Sequence, residues 1–249
     1  MSIHIYPVQK QITGNFNGGE ILENKPIQMS PDTTKLQPYS NIFYWAHAWG
    51  QVTSTIGLHP HQAFEIVSFI LEGTVEHYDT KNKTWLPLQA GDVQIIRAGN
   101  GISHAEKMHK GTHMFQIWFD PDINKSLSQP ATYNDYPAAT FPIINEAGKK
   151  TKVLKGENAP LEMMTPGLSI QQIEFEPGTH NMELDAEHVH SFYVINGSLT
   201  TEKGQLNKDD FFVIDEAGVY SFEIKETTTL FLISALKEPG YLTYAASRN

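Results

Sequence analysis

Short stretches in which apolar residues run together or alternate with polar ones recur along the chain, separated by Gly, Asn, Asp and Pro. That pattern predicts strands and turns. EIVSFIL (65–71) is nearly continuously apolar, as expected of a strand buried on both faces. TVEHYD (74–79) alternates, and TKNK (80–83) has the composition of a hairpin turn. TWLPL (84–88) leads to a turn at QAGD, VQII (93–96) leads to the loop RAGNG, and ISHAEKM and MFQIWF (114–119) read as further strands. Helical periodicity is weak throughout, so the chain is expected to be all-β, a sandwich or barrel with few short helices.

The two halves echo each other. FILEGTV (69–75) matches YVINGSL (193–199) at an offset of 124, GDVQII (91–96) resembles DDFFVI (209–214), and NGISHAE (100–106) resembles AGVYSFE (217–223). One β unit used twice explains this. Between them, 120–145 holds four prolines and little periodicity. The expected division is a first domain at 1–125, a linker at 126–145 and a second domain at 146–249.

Composition narrows the chemistry. The 249 residues include no cysteine, which excludes disulfides, thiolate-bound zinc and cysteine nucleophiles. Net charge is −10, and neither half holds a Lys/Arg cluster, so direct nucleic-acid binding is not expected. No apolar run approaches the ~20 residues of a membrane helix. The opening MSIHIYPVQK has no basic segment followed by an apolar one, so no secretory leader is expected and the cytoplasm is the expected compartment. Nucleophile elbows, Walker loops and dinucleotide fingerprints are missing.

Seven of the eleven histidines lie between His47 and His113. In an extended segment, residues i and i+2 share a face. His59 and His61 do so if their segment is a strand, and Pro60 disfavours a helix there. His104 and Glu106 form a second such pair. Strands meeting inside one barrel would then offer three imidazoles and one carboxylate. Such a set suits Fe(II), Mn, Ni, Cu(II) or Zn. Spacing alone does not choose between Glu65 and Glu106 as the carboxylate. His77 reads as an ordinary strand residue, His109 as a loop residue, and His113 as a candidate for the pocket. In the echo, Glu183 and Asp185 fall at the places of His59 and His61, and Ser221 and Glu223 at those of His104 and Glu106. The second unit is therefore expected to bind no metal, and His188 and His190 read as strand-entry residues.

The motifs HPHQAFEIVSFILEG, GDVQIIRAGNGISHAE and FQIWFDPD match, in order and spacing, those of the pirins, a branch of the cupin superfamily. The resemblance is specific over 57–119 and looser elsewhere. It implies two tandem cupin, jelly-roll-like β-barrels. It also implies one divalent metal ion per chain, usually iron, held by His59, His61, His104 and Glu106, with Glu65 as an outer or substrate-facing group. Small departures are Ala63 where pirins usually have Gly, Gln62 where they often have Arg, and no aromatic residue near Ile95.

The same resemblance implies an Fe(II)-type dioxygenase acting on flavonols such as quercetin, a small aromatic substrate, with Glu106 or Glu65 as the catalytic proton acceptor. The alternative it implies is a metal-dependent regulatory protein contacting a partner protein. No membrane partner is expected.

Overall fold

The computed structural model describes residues 3–248. The strands expected of the first half are present. TVEHYD forms the strand Thr74–Asp79, and VQII, ISHAEKM and MFQIWF lie in Val93–Arg97, Ile102–Met108 and His113–Phe119. The apolar run forms Glu65–Glu72, whose first six residues are buried. It lies inside a sheet, between Val93–Arg97 and His113–Phe119, which is why its sequence does not alternate.

Two compact units make up the chain. The first comprises Gln11–Ala138, Met163–Thr165 and the residues from 240 onward; the second comprises residues 3–10, 139–162 and Pro166–Pro239. In the first, a seven-stranded sheet runs in the order Thr132–Tyr136, Val93–Arg97, Glu65–Glu72, His113–Phe119, Ile42–Gly50, Ile21–Ile27, Ile12–Phe16. A four-stranded sheet runs Ser54–His61, Ile102–Met108, Thr74–Asp79, Leu86–Gln89. Ile21, Ala48, Ile70 and Met114 from the large sheet pack with Val75, Leu88 and Met108 from the small one. The unit is thus a jelly-roll sandwich of two open sheets rather than a closed barrel.

The second unit repeats the plan. Its large sheet runs Ile3–Tyr6, Phe211–Ile214, His188–Asn196, Thr228–Leu236, Leu168–Phe175, Lys149–Lys155, Ile143–Glu146. Its small sheet runs Gly178–Leu184, Gly218–Ile224, Ser198–Thr201, Gly204–Asn207. The units do not follow the expected division in chain order. Residues 3–6 supply an edge strand to the second unit, pairing Ile3–Tyr6 with Phe211–Ile214. The expected linker is structured: Thr132–Tyr136 closes the first unit's sheet and Ile143–Glu146 the second's. The only α-helix among the described residues is Ile123–Ser126, and no helix is long and apolar enough to cross a membrane.

The echo is reproduced in hydrogen bonds. Gly73 (φ 74°) and Gly197 (φ 76°) each turn beside a threonine, where a Cβ would lie 2.7 Å from Thr112 Oγ1 or 2.5 Å from Thr228 Oγ1. Each threonine hydroxyl accepts the next residue's N–H and donates to its carbonyl: Thr112 with Thr74, Thr228 with Ser198. Backbone pairing then fixes the register. Met108 pairs with Val75, and Ile224 pairs with Leu199, which lies 124 residues beyond Val75. Counting back two and four residues places Phe222 and Tyr220 where the first unit has Glu106 and His104. Tyr220 pairs with Met182 as His104 pairs with His59, and Gly218 pairs with Leu184 as Ile102 pairs with His61. The expected equivalents Ser221, Glu223, Glu183 and Asp185 are therefore displaced by one position; Ser221 and Glu223 are exposed. Met182, Leu184, Tyr220 and Phe222 join the second unit's apolar core, where Phe192 and Phe212 stack at 4.6 Å.

Candidate metal centre

The first unit directs its imidazoles inward by strand alternation. His59 and His61 end the strand Ser54–His61, an edge of the small sheet, where a proline between them costs no ladder hydrogen bond. The neighbouring strand sets His104 directly opposite His59 and Ile102 opposite His61. A bulge after His104 shifts Glu106 to pair with Ile56.

The three imidazoles converge. One ring nitrogen from each of His59, His61 and His104 lies within 4.8 Å of the others, and this is the group of potential metal ligands among the described residues. His61 Nε2 is 3.0 Å from His104 Nε2. The His59 ring lies beside them, its centroid 4.9 Å and 4.4 Å from those of His61 and His104. His59 Nδ1 is 2.8 Å from the Gly57 carbonyl oxygen, so it donates and leaves Nε2 as the acceptor. Burial, helped by His104 and His59, pushes His61 down to about 3. Burial, helped by His59 and His77, pushes His104 down to about 2. Neutral imidazoles with facing lone pairs fit a metal ion well.

The carboxylates are placed differently. Glu106 lies two residues beyond His104, outside the imidazole group but close enough to act electrostatically on His61. Its two oxygens accept from Gln116 Nε2 at 3.0 and 2.9 Å, and Oε1 also from Ser68 Oγ at 3.4 Å. Gln116 is oriented by Trp118, whose Nε1 donates to its Oε1 at 3.1 Å. Trp118 also packs against His61 (centroids 4.9 Å, interplanar angle 86°). Glu65 is engaged elsewhere. Fully buried, it accepts from Met164 N at 2.7 Å, Thr165 N at 2.8 Å and Thr165 Oγ1 at 2.5 Å, with Arg97 Nε at 3.7 Å. Both its oxygens fasten the 163–165 segment, and the structure does not bring them to the imidazoles.

Several partners were not read from sequence. Gln116 and Ser68 are polar positions inside apolar strands, which is their only signal. His113 lies on the sheet face opposite Met114, Gln116 and Trp118, against His47 (3.1 Å) and Trp49, so it is not a pocket residue. His188 bonds Asp185 at its strand entry, and His190 bonds Ser234. His109 bonds Glu76. His77, read as an ordinary strand residue, is fully buried with its ring 5.5 Å from that of His104. Ala63 has φ 69°, a conformation that favours the glycine usual in pirins. A depression lined by Pro60, Gln62, Thr80 and Ser103 lies on the other face of the small sheet, because Pro60 and Ser103 pair with each other and alternate with His59, His61 and His104.

The imidazole shifts make the metal-free protein acid-sensitive. His104 stays neutral in the fold, whereas its unfolded counterpart takes up a proton below about pH 6.5. Protons therefore favour the unfolded chain, and stability falls as pH drops from about 6.5 towards 2. The slope from a buried imidazole is at most ~1.4 kcal/mol per pH unit. Urea midpoints of metal-free protein should fall from pH 7 to pH 5, and less steeply in His104→Gln. A midpoint that rises on acidification would contradict this.

Two-sheet units in tandem, one with clustered imidazoles and one with an apolar interior, define a bicupin. A model of the Pirin family matches residues 28–119. A Pasteurella multocida protein named "Putative quercetin 2,3-dioxygenase" is 46% identical over 182 residues, 70% of this chain and 74% of that protein. The Escherichia coli K12 protein named "Quercetin 2,3-dioxygenase" is 47% identical over 72 residues, which is 27% of this chain and 30% of that one. The crystal structure of quercetin 2,3-dioxygenase from Acinetobacter baumannii matches with a TM-score of 0.79 at 22% identity, covering 94% of this chain and 79% of that one. The nickel(II) complex of the bacterial pirin YhhW of Escherichia coli matches with a TM-score of 0.76 at 20% identity, covering 94% and 99%. The chain belongs to the pirin family. Membership and the imidazole cluster together imply a metal cofactor.

Proposed function

We propose that this pirin is a metal-dependent dioxygenase of flavonol-type substrates, with Fe(II) as its metal and His59, His61, His104 and Glu106 as the ligands. The observation that carries this is the convergence of three imidazole nitrogens within 4.8 Å of one another. The names of the relatives point to the same substrate class.

A divalent metal held there supplies Lewis acidity, lowering the pKa of a substrate hydroxyl. The chain's own groups do the rest. Glu106 takes the hydroxyl proton on Oε2, which meets one donor where Oε1 meets two. Gln116, held by Trp118, keeps that carboxylate aimed. The Trp118 ring walls the site beside His61. Glu65, bound to 163–165, leaves the proton-acceptor role to Glu106.

The test compares quercetin consumption and oxygen uptake by iron-loaded and metal-free protein. Coupled loss of both, only with metal, is the expected result. Tight metal binding with neither activity would instead favour a metal-dependent regulatory protein that contacts a partner protein.

A further inference from the structure

Behind His104 lies a polar nest in the interior of the first unit that the proposed chemistry leaves unused. His77, Asp79 and His104 are each 0% exposed. Both ring nitrogens of His77, Oδ2 of Asp79 and Nδ1 of His104 are buried and make no hydrogen bond to the protein. Four such atoms in one place are costly unless something joins them. Strand pairing sets Asp79 directly opposite His104, and His77 opposite Glu106. His77 Nε2 lies 3.4 Å from Asp79 Oδ2, and the His77 ring stacks on Tyr133 with centroids 6.0 Å apart.

Asp79 is held for one purpose by the turn it begins. Its Oδ1 accepts the N–H groups of Lys81 and Asn82 at 2.7 and 2.8 Å. That fixes the carboxylate and leaves Oδ2 in no hydrogen bond, with His77 Nε2 at 3.4 Å on its flank. His104 presents the complementary need. Its Nε2 faces His61 Nε2 at 3.0 Å, so a metal shared by the two rings requires lone pairs on both. The His104 proton then sits on Nδ1, buried, and must find an acceptor. Glu106 is already engaged by Gln116 and Ser68.

We infer that Asp79 is the positioning residue of His104: its Oδ2 accepts the Nδ1 proton and holds that imidazole in the tautomer whose Nε2 faces the metal, while His77 packs along the flank of the pair. Metal-binding histidines are commonly oriented through their second nitrogen in this way. The inference rests on reading the three imidazoles as a metal centre.

Asp79→Asn separates this role from a structural one. The asparagine carbonyl takes over the bonds to Lys81 and Asn82, so the turn is kept. Its NH₂ group then points inward at His104 Nδ1, opposing a donor to a donor and favouring the wrong tautomer. Metal-free protein is titrated with Zn(II) against a chromophoric chelator, and ¹⁵N-histidine NMR spectra are taken of the Zn(II)-loaded protein. The expected result is a ~10–100-fold loss of Zn(II) affinity in Asp79→Asn, with the unfolding midpoint of the metal-free protein unchanged. The loaded wild type should show a solvent-protected Nδ1 proton on His104, located by its absence in His104→Gln. Equal affinity in Asp79→Asn, or an Nε2-protonated His104 in the loaded wild type, overturns the inference. Should the variant not fold, the wild-type spectrum alone decides in the same way. A wild type that binds no Zn(II) overturns the metal-centre reading itself, a result distinct from either.

Discussion

His104→Ala should empty the metal centre and abolish quercetin turnover together. His104 is the buried member of the imidazole group, facing His61 at 3.0 Å and pairing across the ladder with His59. No thiolate exists anywhere in the chain to replace it. Glu65, the one carboxylate that spacing offered as a substitute, is bound to 163–165. Losing a direct ligand should cost more than the ~10–100-fold in affinity that follows loss of an outer partner. Glu106→Gln is the informative contrast. It keeps three imidazoles and so part of the metal, but loses the proton acceptor, a contribution of ~10²–10⁴ in rate. Elemental analysis beside turnover reads both outcomes. Full metal content in His104→Ala would remove this residue from the centre. An empty Glu106→Gln would make its carboxylate as necessary as an imidazole.

Glu65→Ala should produce the largest loss of stability while leaving the metal in place. Three donors on Met164 and Thr165 lose their acceptor, and two of them belong to Thr165, which is buried. Arg97 loses an ion-pair partner at 3.7 Å. Breaking a buried charged contact from one side costs ~3–5 kcal/mol, because the remaining groups keep their desolvation penalty. At ~2–4 °C per kcal/mol for a chain of this size, the melting midpoint should drop by roughly 10 °C. Differential scanning calorimetry with elemental analysis tests this. An unchanged midpoint with an emptied site would return Glu65 to the ligand set of cupins at large.

Much of the centre was legible because strand periodicity is local. A His-x-His and a His-x-Glu on strands need only alternation to put each pair on one face, and the three imidazoles do meet. The same rule also put His77 and Asp79 on one face of TVEHYD, where an alternating strand suggested nothing beyond half-burial. Only the position of that strand beside Ile102–Met108 shows that the face is internal. The partners of Glu106 and Glu65 come from ten and about one hundred residues away, and no local pattern encodes such pairings. The repeat was visible, yet both segments that hold the ligands in the first unit were aligned one residue out. Apolar side chains had replaced the ligands, so the similarity that would anchor the register there is gone, and only the ladder restores it. The edge strand at residues 3–6 escaped for a related reason: four residues without a nearby partner carry little signal.

That strand bears on how the molecule is made. Residues 3–6 pair with Phe211–Ile214, and Val8 N donates to an Asp210 oxygen 202 residues further on, so the partners of this segment are synthesised long after it. The intervening chain is synthesised while this segment waits for the sheet it will border. Closing so long a loop is slow compared with forming hairpins. The second unit's large sheet is therefore complete only once this early segment has docked. Until then the Phe211–Ile214 strand presents an open edge, and a newly made molecule is exposed to mispairing in the interval between the emergence of that strand and the docking of residues 3–6.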